Sequence, residues 1–82
     1  EVPEAWAQDA GAVAWCESKM NPEAIGAAGE RGSFQVHPIH RQGMAKAGLD
    51  WTVEVDRVKY AVMLWARQGW SPWSCATKLG VR

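Results

Sequence analysis

An excess of charge of either sign is missing from this chain. Nine basic residues balance nine acidic ones, so no net field draws it toward nucleic acid or an anionic membrane, and neither is an expected partner. Long apolar runs are also missing: nothing approaches the ~20 residues of a membrane-spanning helix. The opening Glu1-Val2-Pro3-Glu4 lacks the basic and apolar blocks of a signal peptide, so an exported location has to be inferred from cysteines and chemistry. Repeats, low-complexity tracts and linkers are absent. Phenylalanine and tyrosine occur once each and cysteine twice, which leaves at most one intramolecular disulfide. A single domain over residues 1–82 is expected, and a chain this short buries only somewhat over ~60% of the surface its unfolded form exposes.

A staple would help such a domain. Cys16 and Cys75 lie near opposite ends, and closing a loop of that length contributes up to about 4 kcal/mol on the chain-entropy model. That favours an oxidising compartment, with two buried free thiols or half of a metal site as the alternatives.

Helical periodicity dominates what is present. Trp6, Ala10, Val13 and Glu17 fall on one stripe, predicting a first helix from Pro3 and Glu4 to about Met20, before Pro22. Glu17 thus sits on a core-facing stripe near a helix C-terminus, and desolvation and the helix dipole both favour its protonated form. A carboxylic acid of that kind suits general acid catalysis on a glycosidic oxygen, whereas a Glu that caps, bonds Lys19 or reaches solvent is the plainer reading. Residues 21–32 read as a glycine-rich loop or short hairpin. Pro38 opens a second helix to about Ala47, with Gly48 beyond it. Asp50 or Thr52 can cap a third, with Val55, Val58, Val62 and Trp65 on its apolar face. Tyr60 to Ala66 is apolar nearly all round, which predicts the third helix as the buried centre. Gly69 ends it, Trp70-Ser71-Pro72-Trp73 turns a corner, and Ser74 to Leu79 forms a last short helix. The fold class is therefore all-α.

Three constellations could carry chemistry. In the first, glycines at 26, 29 and 32 let backbone pass close to whatever Glu17 faces, and Gln35 offers a donor and acceptors suited to a sugar. The second is six tryptophans. Trp6, Trp15 and Trp65 have core spacings, while Trp51, Trp70 and Trp73 lie at helix ends or a corner, where an indole face either stays open to stack on a pyranose or fills a gap under a loop. In the third, His37-x-x-His40 with Cys16 and Cys75 would supply four zinc ligands, but the spacing is loose and the cysteines are not paired. No metal or cofactor is expected.

Cys16-Glu17-Ser18, Asn21-Pro22 and Gly32-Ser33-Phe34-Gln35 together resemble the Glu-Ser…Gly-x-x-Gln signature of the lysozyme-like superfamily, especially soluble lytic transglycosylases and the resuscitation-promoting-factor domain. Gln68-Gly69-Trp70-Ser71-Pro72-Trp73-Ser74-Cys75 is similar to the ending of the latter, and the match spans residues 6–80. Asn21-Pro22-Glu23-Ala24, Gly29-Glu30-Arg31-Gly32 and His37-Pro38 look more like soluble transglycosylases or phage tail lysozymes. The resemblance implies a small lysozyme-like domain that cleaves the β-1,4 bond between N-acetylmuramic acid and N-acetylglucosamine, with Glu17 catalytic and Cys16 paired to Cys75. It implies substrate contacts from Ser33, Phe34 and Gln35, joined by Tyr60, Trp70 and Trp73, which match approximately, and by the rim indole Trp51. The expected partner is peptidoglycan, met by a monomer in a secreted, cell-wall or virion setting.

A hydrolase generally uses a second carboxylate. Glu23 and Glu30 are the acidic residues of the adjacent loop, and Glu30 beside Arg31 reads as a solvated ion pair. A transglycosylase needs one carboxyl only, because the muramic acid 6-hydroxyl is the nucleophile. Non-hydrolytic lytic transglycosylase is the expected activity, with hydrolytic muramidase or a silent peptidoglycan-binding module as alternatives.

Overall fold

A computed structural model describes residues 3–81. It contains four α-helices, α1 (Glu4–Ser18), α2 (Arg41–Lys46), α3 (Glu54–Gln68) and α4 (Ser74–Leu79), with a 3-10 turn at Pro38–His40 leading into α2. Among the described residues strand pairing is confined to two isolated antiparallel bridges, Ile25 with Arg31 and Arg31 with Val36, so the loop after α1 is a minimal hairpin.

The α1 stripe is as the spacing predicts: Trp6, Ala10, Val13 and Ala14 are buried, and Glu17 continues the line half-buried. The helix stops short of Met20 because Lys19 and Met20 both take left-handed angles, φ 59° and 62°. Their amides close on the Trp15 and Ala14 carbonyls, satisfying the last turn as left-handed caps do. Pro38 starts helical structure as expected, in two pieces, and α2 gives way to Gly48 at φ 77°.

The core is not centred on α3. It is an aromatic cluster in which Trp6 stacks on Trp70 at 4.7 Å between ring centroids and 23° between planes. Phe34 lies 4.8 Å from Trp6, and Trp73 meets Trp70 edge-on at 5.0 Å. Offset and edge-to-face pairs of this kind add roughly 0.5–1.5 kcal/mol each beyond burial. Val13, Met44, Ala61 and Ala76 complete the buried interior. On α3 the fully buried face runs through Arg57, Tyr60, Ala61 and Leu64, one step out of phase with the predicted face, of which Val58, Val62 and Trp65 pack half-buried against the core. Val55 is 58% and Met63 36% exposed. A chain this small has too little mass to cover α3 on every side.

The phase shift has a specific cause. Arg57 is buried, and its guanidinium donates to the Trp51 carbonyl at 2.7 Å, the Pro22 carbonyl at 3.1 Å and Glu54 Oε1 at 3.1 and 3.3 Å. Glu54 in turn accepts the Ser33 amide at 3.2 Å through Oε2. One cation thereby ties the loop after α1 to the loop before α3. Neither Asp50 nor Thr52 caps α3: Val53 occupies the cap position without a side-chain bond. Asp50 instead accepts the amide and hydroxyl of Thr52 at 2.9 and 2.7 Å, closing a local turn ahead of the helix.

Cys16 and Cys75 are joined in a disulfide across 59 residues, linking the end of α1 to the start of α4. Both thiols are consumed, so the four-ligand zinc arrangement does not form.

Candidate active site

Glu17 is in the last turn of α1, beside the disulfide. Its Oε2 accepts the backbone N–H of Cys75 at 3.1 Å, a partner 58 residues away that no local pattern reveals. Burial is partial, so the desolvation expected from the stripe is partial too. Oε1 carries no protein hydrogen bond among the described residues.

The carboxylate faces a cleft of about 170 Å³ lined by Glu17, Glu30, Gln35, Val36, His37, His40, Leu64, Pro72, Trp73 and Ser74. Four stretches build it: the end of α1, the hairpin loop with its 3-10 turn, the middle of α3, and the corner into α4. Glu17 and Gln35 therefore share one cavity, as their separate sequence signals suggest.

Gln35 sits at φ 48°, a left-handed angle that costs a non-glycine residue energy and that functional sites over-represent. Its Nε2 donates to the Gly32 carbonyl at 3.0 Å and the Ala24 carbonyl at 3.3 Å. Gly26 packs beneath it, and a Cβ there would collide with both Gln35 Oε1 and Glu30 Oε1. The absence of a side chain at Gly26 is what lets these two polar groups come together.

The other residues of the signature support rather than line the cleft. The Ser33 carbonyl accepts the Ser18 hydroxyl at 2.7 Å, tying the residue after Glu17 to the loop that presents Gln35. Phe34 is in the aromatic core, and its carbonyl accepts Trp73 Nε1–H at 2.9 Å. Trp73 is buried with one edge on the cleft. Trp70, 1% exposed, is wholly core, and Trp51 is buried at a separate shallow depression with Arg41 and Gln42. Of the two alternatives the sequence leaves for the indoles at 51 and 70, open for stacking or filling a gap, the structure shows the buried one: corners in so small a domain are where the core is completed. Tyr60 lies behind the lining, its ring 5.4 Å from His40 and its hydroxyl against Gly43. Trp15, expected in the core, is 58% exposed with the Lys19 ammonium 5.4 Å from its ring centroid.

Three cleft residues were not singled out as such by sequence. Glu30 does not pair with Arg31. Its Oε1 accepts the Ala28 amide at 3.0 Å, and the ion pair present among the described residues is Arg57 with Glu54. His37 and His40 read from sequence as polar decoration at a helix start or as loosely spaced metal ligands, yet both line the cavity. Burial, and after it the neighbouring His37, holds the His40 imidazole below the usual histidine value. Their spacing about Pro38 was the available signal.

The arrangement offers a carboxyl with one oxygen anchored and one free, a second carboxylate on the same cavity, and an amide locked by two carbonyls. Such a set can move a proton to and from a bound polar ligand. Comparison with protein-family models, with curated proteins and with solved structures finds no match to this chain.

Proposed function

We propose that this domain cleaves peptidoglycan glycan strands at the β-1,4 bond between N-acetylmuramic acid and N-acetylglucosamine, as a lytic transglycosylase acting through Glu17. The observation that carries the reading is that Glu17 and Gln35, the two fixed points of the lysozyme-like signature, line one cleft on a disulfide-tied frame. Protonated Glu17 gives its proton to the leaving glycosidic oxygen as the bond to the muramic acid C1 breaks. The N-acetyl carbonyl of the same sugar supports the electron-poor carbon. The 6-hydroxyl then attacks C1 while the Glu17 carboxylate takes back its proton, closing a 1,6-anhydro ring with no water consumed. Gln35 and the Trp73 edge position the sugar. The polymer lies outside cells or in a wall, where a disulfide persists, and a monomer suffices because the cleft is built from one chain.

Digestion of purified peptidoglycan followed by mass spectrometry of the muropeptides tests the proposal: 1,6-anhydromuramic ends are expected. Glu17→Gln keeps the side-chain shape but cannot shuttle a proton, and its rate should fall by on the order of 10²–10⁴. Full activity in a folded Glu17→Gln protein would refute the assignment.

A hydrolytic second reading is favoured by one observation, the presence of Glu30 on the same cleft. In that case reducing ends take up ¹⁸O from labelled water, and Glu30→Gln lowers the rate as severely as Glu17→Gln does.

A further inference from the structure

The 3-10 turn adds a distinct chemical character to the cleft. His37 caps the turn and His40 ends it, and both side chains line the cleft. His37 Nδ1 accepts the Ile39 N–H at 3.1 Å, which places the proton of the neutral ring on Nε2 and leaves that N–H as a donor. His40 is steadied by the Tyr60 ring. Lysine and arginine are absent from the lining, so every positive charge this cavity can offer is an imidazolium. The titratable groups around the pair are Glu17 of α1, Glu30 of the loop and Tyr60 of α3, while α4 contributes the non-titrating Ser74.

We propose that His37 and His40 form a carboxylate-binding subsite that selects the anionic muramyl units of the strand over neutral acetamido sugars. The inference rests on the glycan-cleaving reading above. Both side chains line the cleft, and burial, then the neighbouring His37, disfavours charge on His40, so an anion bound beside that ring offsets both effects. Glu17 and Glu30 repel the same anion, so net attraction requires a protonated His40, while His37, whose Nδ1 accepts the Ile39 N–H, adds its Nε2–H as a donor. Binding of an anionic glycan then takes up protons and tightens as pH falls through the histidine range, while binding of a neutral glycan does not. The carboxylate comes either from the lactyl ether of the sugar or from an attached peptide.

Calorimetry on the Glu17→Gln protein, in which the glycan survives, tests this at pH 5.5 and 8.0 with three tetrasaccharide probes. They are chitotetraose, the peptide-free alternating muramic acid tetrasaccharide, and its peptide-bearing form. Chitotetraose should bind within about twofold at the two pH values. At least one anionic probe should bind about tenfold tighter at pH 5.5, the scale of a charge-assisted hydrogen bond, with buffer-dependent heats showing proton uptake. The probe that gains identifies the carboxylate. Adding His37→Gln and His40→Gln together should erase the gain and leave chitotetraose unchanged. An equal pH response for neutral and anionic probes, or a gain that survives the double substitution, overturns the subsite without touching the proposed activity. Failure of all three glycans to bind overturns the glycan reading and the subsite with it. Should the double substitution unfold the protein, histidine proton NMR on the Glu17→Gln chain decides: the anionic probe must raise the His40 titration midpoint, and no change overturns the proposal.

Discussion

Replacing Arg57 by Met should be the most damaging single substitution outside the aromatic cluster. The change keeps much of the apolar stem but strands three acceptors: the Trp51 and Pro22 carbonyls and the half-buried Glu54 carboxylate. Removing one partner of a buried, hydrogen-bonded ion pair costs about 3–5 kcal/mol, chiefly because the remaining charge is left uncompensated. A domain of this size loses ~4–8 °C in Tm per kcal/mol, so thermal unfolding followed by circular dichroism should fall by at least roughly 12 °C. Total stabilities of ~5–15 kcal/mol make complete unfolding of the variant an acceptable extreme. Arg57→Lys should recover only part of the loss, because an ammonium is a point donor and cannot span acceptors that a planar guanidinium reaches at once. Adding Glu54→Leu to Arg57→Met removes the orphaned carboxylate and should restore stability relative to Arg57→Met alone, a coupling that a double-mutant cycle reads directly. An Arg57→Met protein melting within about 2 °C of wild type would refute the claim that this cation holds the loops, since even one lost charged hydrogen bond exceeds that.

Reduction of the Cys16–Cys75 disulfide should lower stability by up to about 4 kcal/mol and loosen Glu17, whose carboxylate is held by the Cys75 amide. Urea titrations with and without reductant check this, and coincident midpoints would contradict it. Trp70→Ala should cost roughly 3–5 kcal/mol, as large-to-small changes in an aromatic core do, while Trp15→Ala stays within about 0.5 kcal/mol, as for an exposed site. Equal melting shifts would reverse the core assignment made from their burial. His40 is held below the ordinary histidine value in the folded state by burial and then by His37, so the unfolded chain binds its proton first as pH falls. The contribution of neutral His40 is fully present above ~6.5, the unfolded value, and is lost as pH drops through the folded one. The melting advantage of wild type over His40→Gln should therefore shrink between pH 7.5 and 5.0, and a constant difference would refute the burial argument.

Much of the architecture was legible because local signals agreed with one another. Pro22, Pro38, Gly48 and Gly69 bracket helices where helices occur, and the spacing of Trp6, Ala10, Val13 and Glu17 marks the α1 face correctly. The failure on α3 is instructive. Valines at 55, 58 and 62 outvote an arginine on any hydropathy count, yet Arg57 is buried because the Trp51 carbonyl just ahead of α3, the distant Pro22 carbonyl and Glu54 satisfy it. A sequence shows the cost of burying a cation and hides the acceptors that offset it. Trp15 and Trp70 exchange places for a related reason. The α1 stripe is narrow, so Trp15, about 100° from its edge in the helical period, faces solvent, whereas the corner at 70–73 folds inward to complete the cluster around Trp6. In the site, Glu17 and Gln35 were visible as residue types in a pattern. Glu30 and His37 were not, since their neighbours suggested an ion pair and a metal ligand.

The tethers of the cleft all cross long stretches of chain. Glu17 is held by Cys75 across 58 residues, Ser18 by Ser33 across 15, and Trp73 by Phe34 across 39. Each involves a residue of the lining or its immediate neighbour, and each joins a different pair among α1, the loop and the α4 corner. Detaching any one of the three removes two of the tethers, because α1 alone supplies Glu17 without its anchor and the loop alone supplies Gln35 without the Ser18 hydroxyl. The left-handed backbone at Gln35, unfavourable by itself, is held there by the same closure. The geometry of the cleft is consequently a property of the assembled domain and not of any element. Loss of the Glu17 or the Ser18 tether should disorder the cleft before it melts the helices, because the aromatic cluster, packed around Trp6 and Trp70, does not depend on those two bonds.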